Sequence, residues 1–378
     1  MGNVPATAGR LPVLRPRLPS AECLLPYLQR IDRTRVYSNH GPLLSSFQNR
    51  LTNYLQLPAG SMTCTSSGTM AVVGAILAAT GRASSKRPFA IIPAFTFVAT
   101  AVAVQQCGYE PYVTDVDAKS WMLDPHALAN HPLLHKVGVV VPVAPFGRPV
   151  PQGPWNEFHR RTSIPVVIDG AASFDTIMHA PEEYLGDIPV TLSFHATKSF
   201  GTGEGGAVAS TSVEFSQRVE RCLNFGFYGG RDSCTASTNG KMSEYSAAVG
   251  LAELDQWEAK YMALSSVASQ YQAAMDSVQL AHFLCVHPTI STCYALLVGR
   301  TSEDAERAMR DLDQNDIDCR RWYGAGVQSH AYFSNLSRDR LDVTSTILPR
   351  VIGLPVAPDL AETDIHRVVA ALRPVLTA

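Results

Sequence analysis

Val190-Thr191-Leu192-Ser193-Phe194-His195-Ala196-Thr197-Lys198-Ser199-Phe200-Gly201-Thr202-Gly203-Glu204-Gly205-Gly206-Ala207-Val208 is an apolar β-type run closed by a polar turn with one lysine. Four glycines follow within six residues, and then a second β-type run begins. Backbone on both sides and the hydroxyls of Thr197 and Ser199 flank Lys198, so the stretch presents one amine at a fixed place. A solvated lysine in a surface hairpin is the commoner use of such a residue, and the surrounding sequence decides between the two. Gly201, Gly203 and Gly206 also satisfy G-x-G-x-x-G, but they lead into a strand and not a helix, which removes a dinucleotide-binding loop. Glycine here lets backbone pass close to a ligand or to another chain.

Outward from this stretch the pattern alternates. Strands are expected at 62–65, 89–93, 111–115, 137–143 and 165–169 before it, and at 190–194 and 207–210 within it. Most are continuous apolar runs, as in strands buried on both faces. Helical segments at 70–79, 97–106 and 155–161 separate them, so the expected class is α/β with a mainly parallel sheet. Residues 1–19, with four prolines and three arginines, read as an extended arm. Helices follow from Ser20 and over 43–55, joined by a loop rich in Tyr, Asn and His at 37–42. Past the glycines come a Gly- and Ser-containing loop at 225–237 and a long helix over about 243–276. Then follow β-type 292–298, helical 302–315, an aromatic loop at 322–324 and a last helix near 362–372. The chain is too long for one small core, and it divides into a large α/β domain over 1–250 and a smaller α+β domain over 251–378.

Composition narrows the class. Of the 378 residues 46% are hydrophobic and 17% charged, which suits a large buried sheet and argues against disorder. A net charge of -2 and the lack of a basic run give no footprint for nucleic acid. The eight cysteines are scattered without C-x-x-C spacing, so they read as reduced thiols, not a disulfide framework or a metal site. No apolar run reaches the ~18 residues of a membrane span, and no apolar leader follows Met1. The expectation is a soluble, cytoplasmic protein without metal.

Ligands of an α/β sheet bind at the carboxyl ends of its strands. The residues expected there are Ser66-Ser67-Gly68-Thr69, Ala94 to Phe97, Pro145-Phe146-Gly147, Asp169 to Ala172 and Ser193 to Lys198. Ser67-Gly68-Thr69 before a helix offers free N–H groups and hydroxyls suited to a phosphate, or simply a helix cap. Asp169 ends a wholly apolar strand, where a carboxylate is costly unless something pairs with it. A protonated pyridine nitrogen would do so, and Gly170, Ala171 and Ala172 leave room for a flat ring.

Ser67-Gly68-Thr69, Thr96-Phe97-Val98-Ala99-Thr100, Asp169-Gly170-Ala171-Ala172, Ser193-Phe194-His195-Ala196-Thr197-Lys198 and Gly203-Glu204-Gly205-Gly206-Ala207 together resemble the DegT/DnrJ/EryC1/StrS family. Asn239-Gly240-Lys241-Met242-Ser243-Glu244 and Leu354-Pro355 extend the resemblance over nearly the whole chain. The family consists of pyridoxal-phosphate-dependent aminotransferases of nucleotide-activated keto-sugars. The resemblance implies an aspartate-aminotransferase-type (type I) fold in homodimers whose active site lies at the subunit interface. Carried over residue by residue, Lys198 would form the Schiff base with pyridoxal phosphate and Asp169 would pair with the pyridine nitrogen. Phe97 would stack on the ring, beside Ala171. Ser67, Gly68, Thr69 and Ser193 would hold the phosphate, and Asn239 would reach the same phosphate from the partner subunit. An amino acid, glutamate or glutamine by family habit, would load the cofactor, and a keto-deoxyhexose nucleotide would take the amine.

Two departures stand out, the first a polar contact missing near the cofactor and the second in a loop that shapes the sugar site. Ala172 stands where many members carry Gln or His, and Gln328 stands where the late Tyr-x-x-x-x-His segment has His. Tyr37, Asn39, Arg231, Tyr323 and Gln328 are the substrate candidates, with Arg231 and Arg148 for the donor carboxylate. His195 reads as structural. A dehydratase branch has His in place of the lysine, and Lys198 disfavours it. A cyclitol or other non-nucleotide ketone as substrate, or a non-catalytic regulatory protein, are the alternatives.

Overall fold

The structure is a computed structural model and describes residues 9–377. Residues 1–8 of the expected arm lie outside the described residues. Seven strands form the central layer: β1 (Met62–Thr65), β2 (Phe89–Pro93), β3 (Glu110–Thr114), β4 (Val137–Val140), β5 (Ile168–Asp169), β6 (Val190–Ser193) and β7 (Gly206–Ala209). Ladders give the orders β1-β7-β6-β5 and β3-β2-β4. Bridges Val140↔Val166 and Val143↔Asp169 join the two halves, so the layer reads β1-β7-β6-β5-β4-β2-β3. Only β7 among these runs against its neighbours. The β2–β3, β2–β4 and β5–β6 pairs are parallel, as the unbroken apolar runs predict.

Alternate residues of the strands point into two cores, the period-2 consequence of the pleat. Ile91, Val140, Ile168, Leu192 and Ala207 pack on one face with Phe47, Phe194 and Trp257. Ala90, Ile92, Val139, Val167 and Val208 pack on the other, beneath the helices Gly68–Thr80 and Val98–Gln106. The first of these helices is apolar on all sides, which fits an element covered all round.

Several expected strands come out shorter: 137–143 is strand over Val137–Val140 and 190–194 over Val190–Ser193. Regular pairing in β5 covers only Ile168–Asp169, although Val140 N–H donates to Pro165 O (3.0 Å) and Val167 N–H to Val140 O (3.0 Å). The run expected at 292–298 is strand only over Leu296–Val298. Before it the chain turns, Tyr294 N–H donating to Ser291 O at 3.0 Å.

The helix Glu244–Ser277 links both halves of the molecule. Trp257 belongs to the core under the large sheet, whereas Leu264, Tyr271 and Met275 belong to a separate core. That second core is closed by the helices Ser302–Gln314 and Glu362–Thr377 and by a three-stranded antiparallel sheet. The arm runs against it, with Leu11 N–H donating to Asp316 O at 2.8 Å. Where the halves meet, Phe95, Trp121, Phe146 and Ala172 pack against Ile290, Tyr294 and Leu296. No described helix is long and apolar enough to cross a membrane.

Candidate active site

Because β1, β2, β4, β5 and β6 all run in one direction, the turns after them share one edge of the sheet. Asp169, the last residue of β5, is 5% exposed. Its Oδ2 accepts the hydroxyl proton of Thr100 at 2.7 Å, and its Oδ1 accepts the N–H of Ala171 at 3.2 Å. Thr100 and Thr96 hydroxyls lie 2.8 Å apart, so a short relay of hydroxyls backs the carboxylate. Burial pushes the Asp169 carboxyl above its ordinary range, and the Thr100 bond, the Ala171 bond and the charge of Lys198 oppose that rise. Phe97 sits one helical turn before Thr100, as N-cap of the helix Val98–Gln106. It is 56% exposed, an open aromatic face where a core residue would be covered.

The turn after β1 meets the end of β6. Ser67 caps the helix Gly68–Thr80 by accepting the Met70 N–H at 3.2 Å. A Cβ on Gly68 would lie 2.6 Å from Cβ of Ser193, so only glycine lets these two segments touch. A Cβ on Gly206 would lie 2.7 Å from Ser67 O and 2.8 Å from Gly68 N. Gly206 therefore serves close passage of backbone, and it opens a strand, not a helix; Gly203, with open space around it, serves a turn at φ 85°. Thr69 is half-buried at the start of the capped helix.

Lys198 lies in the turn between β6 and β7, its N–H donating to His195 O at 2.9 Å. Its Nζ donates to Tyr294 Oη at 3.2 Å. His195 is engaged locally, Nδ1 lying 2.8 Å from Thr197 Oγ1. Behind the turn, Gly201 N–H donates to Oε1 of Glu253 at 3.4 Å. Glu253 is 2% exposed and pairs with Lys260, which also donates to Arg17 O at 2.9 Å. Burial raises the Glu253 carboxyl, and Lys260 opposes the rise.

The remaining expected residues are distributed unevenly. Tyr323 stacks on Phe146 (4.5 Å between centroids), and its Oη accepts the Phe146 N–H at 3.1 Å, so it forms the wall beside the strand ends. Val327 N–H donates to Ala94 O at 3.2 Å, which brings the Gln328 loop to the end of β2. Gln328 Nε2 donates to Ala325 O at 2.9 Å, while its Oε1 is buried without a partner among the described residues. Asn239 is exposed, its Oδ1 accepting from Lys241 Nζ at 2.8 Å, in a segment bridged to the end of β1 through Thr65 and Lys241. Tyr37 is exposed and stacks on Tyr245 (6.3 Å); Asn39 is exposed with φ 61°. Their loop is fixed to the start of Glu244–Ser277, where buried Glu244 accepts the N–H groups of Leu43 and Leu44 at 2.8 Å each. Arg231 is exposed in the loop that carries Gly229 and Gly230. Arg148 is committed elsewhere: it donates to the carbonyls of Lys119 and Ser120 at 3.0 and 2.8 Å and covers Trp121. Sequence reasoning missed Thr100, Glu253 and Tyr294. Thr100 stands inside a quoted motif, and its place one turn after Phe97 is the signal that could have found it.

This arrangement fits pyridoxal phosphate. A buried carboxylate whose direct partners are a hydroxyl and an amide is short of a cation, which the cofactor's protonated ring nitrogen supplies. A glycine-made contact between two turns leaves N–H groups and hydroxyls for a phosphate, and the amine of Lys198, in the turn that follows Ser193, acts on the carboxylate. Known proteins agree. The sequence matches the DegT/DnrJ/EryC1/StrS aminotransferase family over residues 21–373. It is 30% identical over 253 residues to a dTDP-4-amino-4,6-dideoxy-D-glucose transaminase of Shigella dysenteriae, covering 65% of each chain. Among solved structures, a Bacillus cereus protein described as a PLP-dependent aminotransferase superposes with TM-score 0.88 at 28% identity, covering 96% of this chain and 99% of that one. DesI, crystallised with its TDP-sugar product, superposes with TM-score 0.83 at 25% identity, covering 98% and 94%. A match of that extent shows the family: the chain belongs to the DegT/DnrJ/EryC1/StrS aminotransferases and is a pyridoxal-phosphate-dependent aminotransferase of the type I fold.

Proposed function

We propose that this aminotransferase takes an amino group from an amino acid, glutamate or glutamine, and passes it to a nucleotide-linked keto-deoxysugar in two half-reactions at one site. The observation that carries the reading is that buried Asp169, the last residue of β5, and Lys198, in the turn after neighbouring β6, lie at the same edge of the sheet, close enough for the charge of Lys198 to act on the Asp169 carboxyl. The sugar half rests on the relatives: the Shigella enzyme is a dTDP-amino-sugar transaminase and DesI holds a TDP-sugar product.

In this reading Lys198 is the covalent anchor of the cofactor and, once displaced by the donor, the amine that moves a proton. The bound cofactor supplies an electron-withdrawing ring that makes the donor's Cα–H acidic. Ionised Asp169 keeps its ring nitrogen protonated, with Thr100 and the Ala171 N–H holding the carboxylate. Ser67, Gly68, Thr69 and Ser193 bind the phosphate, and Phe97 covers the ring. Asn239 serves the active site of a second copy in a homodimer, consistent with its exposed position. Tyr37, Asn39, Arg231, Tyr323 and Gln328 shape the sugar and donor side.

Protein loaded with the amine form of the cofactor should be offered 4-keto and 3-keto hexose nucleotides. The expected result is return of the aldehyde-form absorbance, with the aminated nucleotide found by mass spectrometry. Return with a cyclitol ketone and with no nucleotide would replace this reading.

A further inference from the structure

We propose that Tyr294 positions the amine of Lys198 for proton transfer, holding it through a phenol delivered by a turn that the fold pins in place. The proposal rests on Lys198 being the cofactor's lysine. Lys198 Nζ lies 3.2 Å from Tyr294 Oη. A phenol accepts from an ammonium and donates to a neutral amine, so one hydroxyl can hold the nitrogen in both protonation states. Burial keeps this phenol neutral by raising its ionisation well above the ordinary range, and nearby Cys293 and Asp175 act in the same direction. Asp169 and Tyr323 are the other ionisable groups bearing on the pair.

The turn that carries Tyr294 is held from two sides. Ser291 N–H donates to Phe146 O at 2.9 Å, and Thr292 N–H donates to Oδ2 of Asp175 at 2.7 Å. Asp175 is fully buried, and its Oδ1 has no hydrogen-bond partner among the described residues. Phe146 is itself left-handed (φ 55°, ψ 24°), rare for a bulky residue and a mark of imposed structure. Edge-on contacts of the Tyr294 ring with Phe146 (5.4 Å) and Trp322 (5.6 Å) fix its direction. A strained residue and a buried carboxylate thus converge on a turn that interrupts an otherwise regular β-type run. Tyr294 is the residue of that turn whose side chain bonds to the amine.

Tyr294→Phe isolates the hydroxyl, because the ring, whose centroid lies 5.8 Å from Nζ, stays. Two readouts test the proposal. In the apoprotein, acetylation of Lys198 by acetic anhydride, followed by peptide mass spectrometry, should quicken by about fivefold, the weight of one hydrogen bond. In the loaded protein, cofactor should bind with unchanged affinity while the single-turnover rate with glutamate falls about 10- to 100-fold, as for a misplaced reacting group. The isotope effect from Cα-deuterated glutamate should rise, which a loss of packing alone would not produce. Unchanged acetylation with single-turnover rates within about twofold of wild type would overturn the proposal. Retention of borohydride-fixable cofactor by Lys198→Ala would instead overturn the reading beneath it.

Discussion

Replacing Thr100 by valine removes the hydroxyl that donates to Asp169 Oδ2 at 2.7 Å and leaves the side-chain volume nearly unchanged. Thr96, which loses its 2.8 Å neighbour, still has Phe97 O within 3.3 Å, so no second polar group is orphaned. A hydrogen bond to a charged group is worth about 1.5–3 kcal/mol. Asp169 keeps only the Ala171 N–H and the cofactor's ring nitrogen as partners, so its ionised form is weakened by that amount. Burial already raises its carboxyl, and Thr100 is the largest of the contributions opposing the rise. The sign follows: without Thr100 the carboxyl rises further, and more of it is protonated at a given pH. At about 1.4 kcal/mol per tenfold, cofactor affinity should fall about 10- to 100-fold, and the acid limb of kcat/KM should move to higher pH. Equilibrium dialysis of pyridoxal phosphate and a pH–rate profile measure both. An affinity within about twofold of wild type and an unmoved acid limb would refute the role given to Thr100 and to an ionised Asp169.

Three further outcomes are expected. Because burial raises the Asp169 carboxyl in the folded state, the folded protein binds that proton more tightly than the unfolded chain. Its cost to stability therefore appears as pH rises from about 3.9, the unfolded value, and is complete above the folded one. Asp169→Asn should then melt higher than wild type as apoprotein at neutral pH, by about 1–2 °C for each kcal/mol relieved in a chain of this length, while losing most turnover; a lower melting point would contradict this. Gly68→Ala forces a Cβ to 2.6 Å from Ser193 Cβ, an overpacking of about 1–3 kcal/mol that should weaken cofactor binding. Pairing it with Ser193→Gly should recover packing but not full affinity. Glu253→Gln leaves Lys260 without its buried counter-charge, a loss of about 3–5 kcal/mol, read as a lower denaturant midpoint. Glu253→Gln with Lys260→Met should cost less than Glu253→Gln alone.

How much of this could be read from the chain depends on the range over which each signal acts. Strand positions, the capped helix at Gly68 and the charged residues Asp169 and Lys198 lie in local patterns of apolar runs, turn residues and polar ends. The close contact of Gly68 with Ser193 is prefigured only as glycine, because the partner stands far off in sequence. Thr100 looks like any helical threonine until the parallel order sets β2 and β5 on either side of β4. Glu253, at a polar position of a long helix, reads as solvated, yet tertiary packing buries it against Gly201 and Lys260. Tyr294 is the clearest loss. Its β-type neighbourhood predicts a strand, and the turn exists because Phe146 O and Asp175 hold Ser291 and Thr292. Arg148, a donor-carboxylate candidate by its glycine-containing loop, is drawn instead to two carbonyls and the face of Trp121.

The most direct test of the account is to load the protein with pyridoxal phosphate, reduce it with borohydride and map the modified peptide. The account predicts one pyridoxyl group, on Lys198, and neither label nor the absorbance of the lysine-bound cofactor in Lys198→Ala. Label on another lysine, or label that survives in Lys198→Ala, would contradict it.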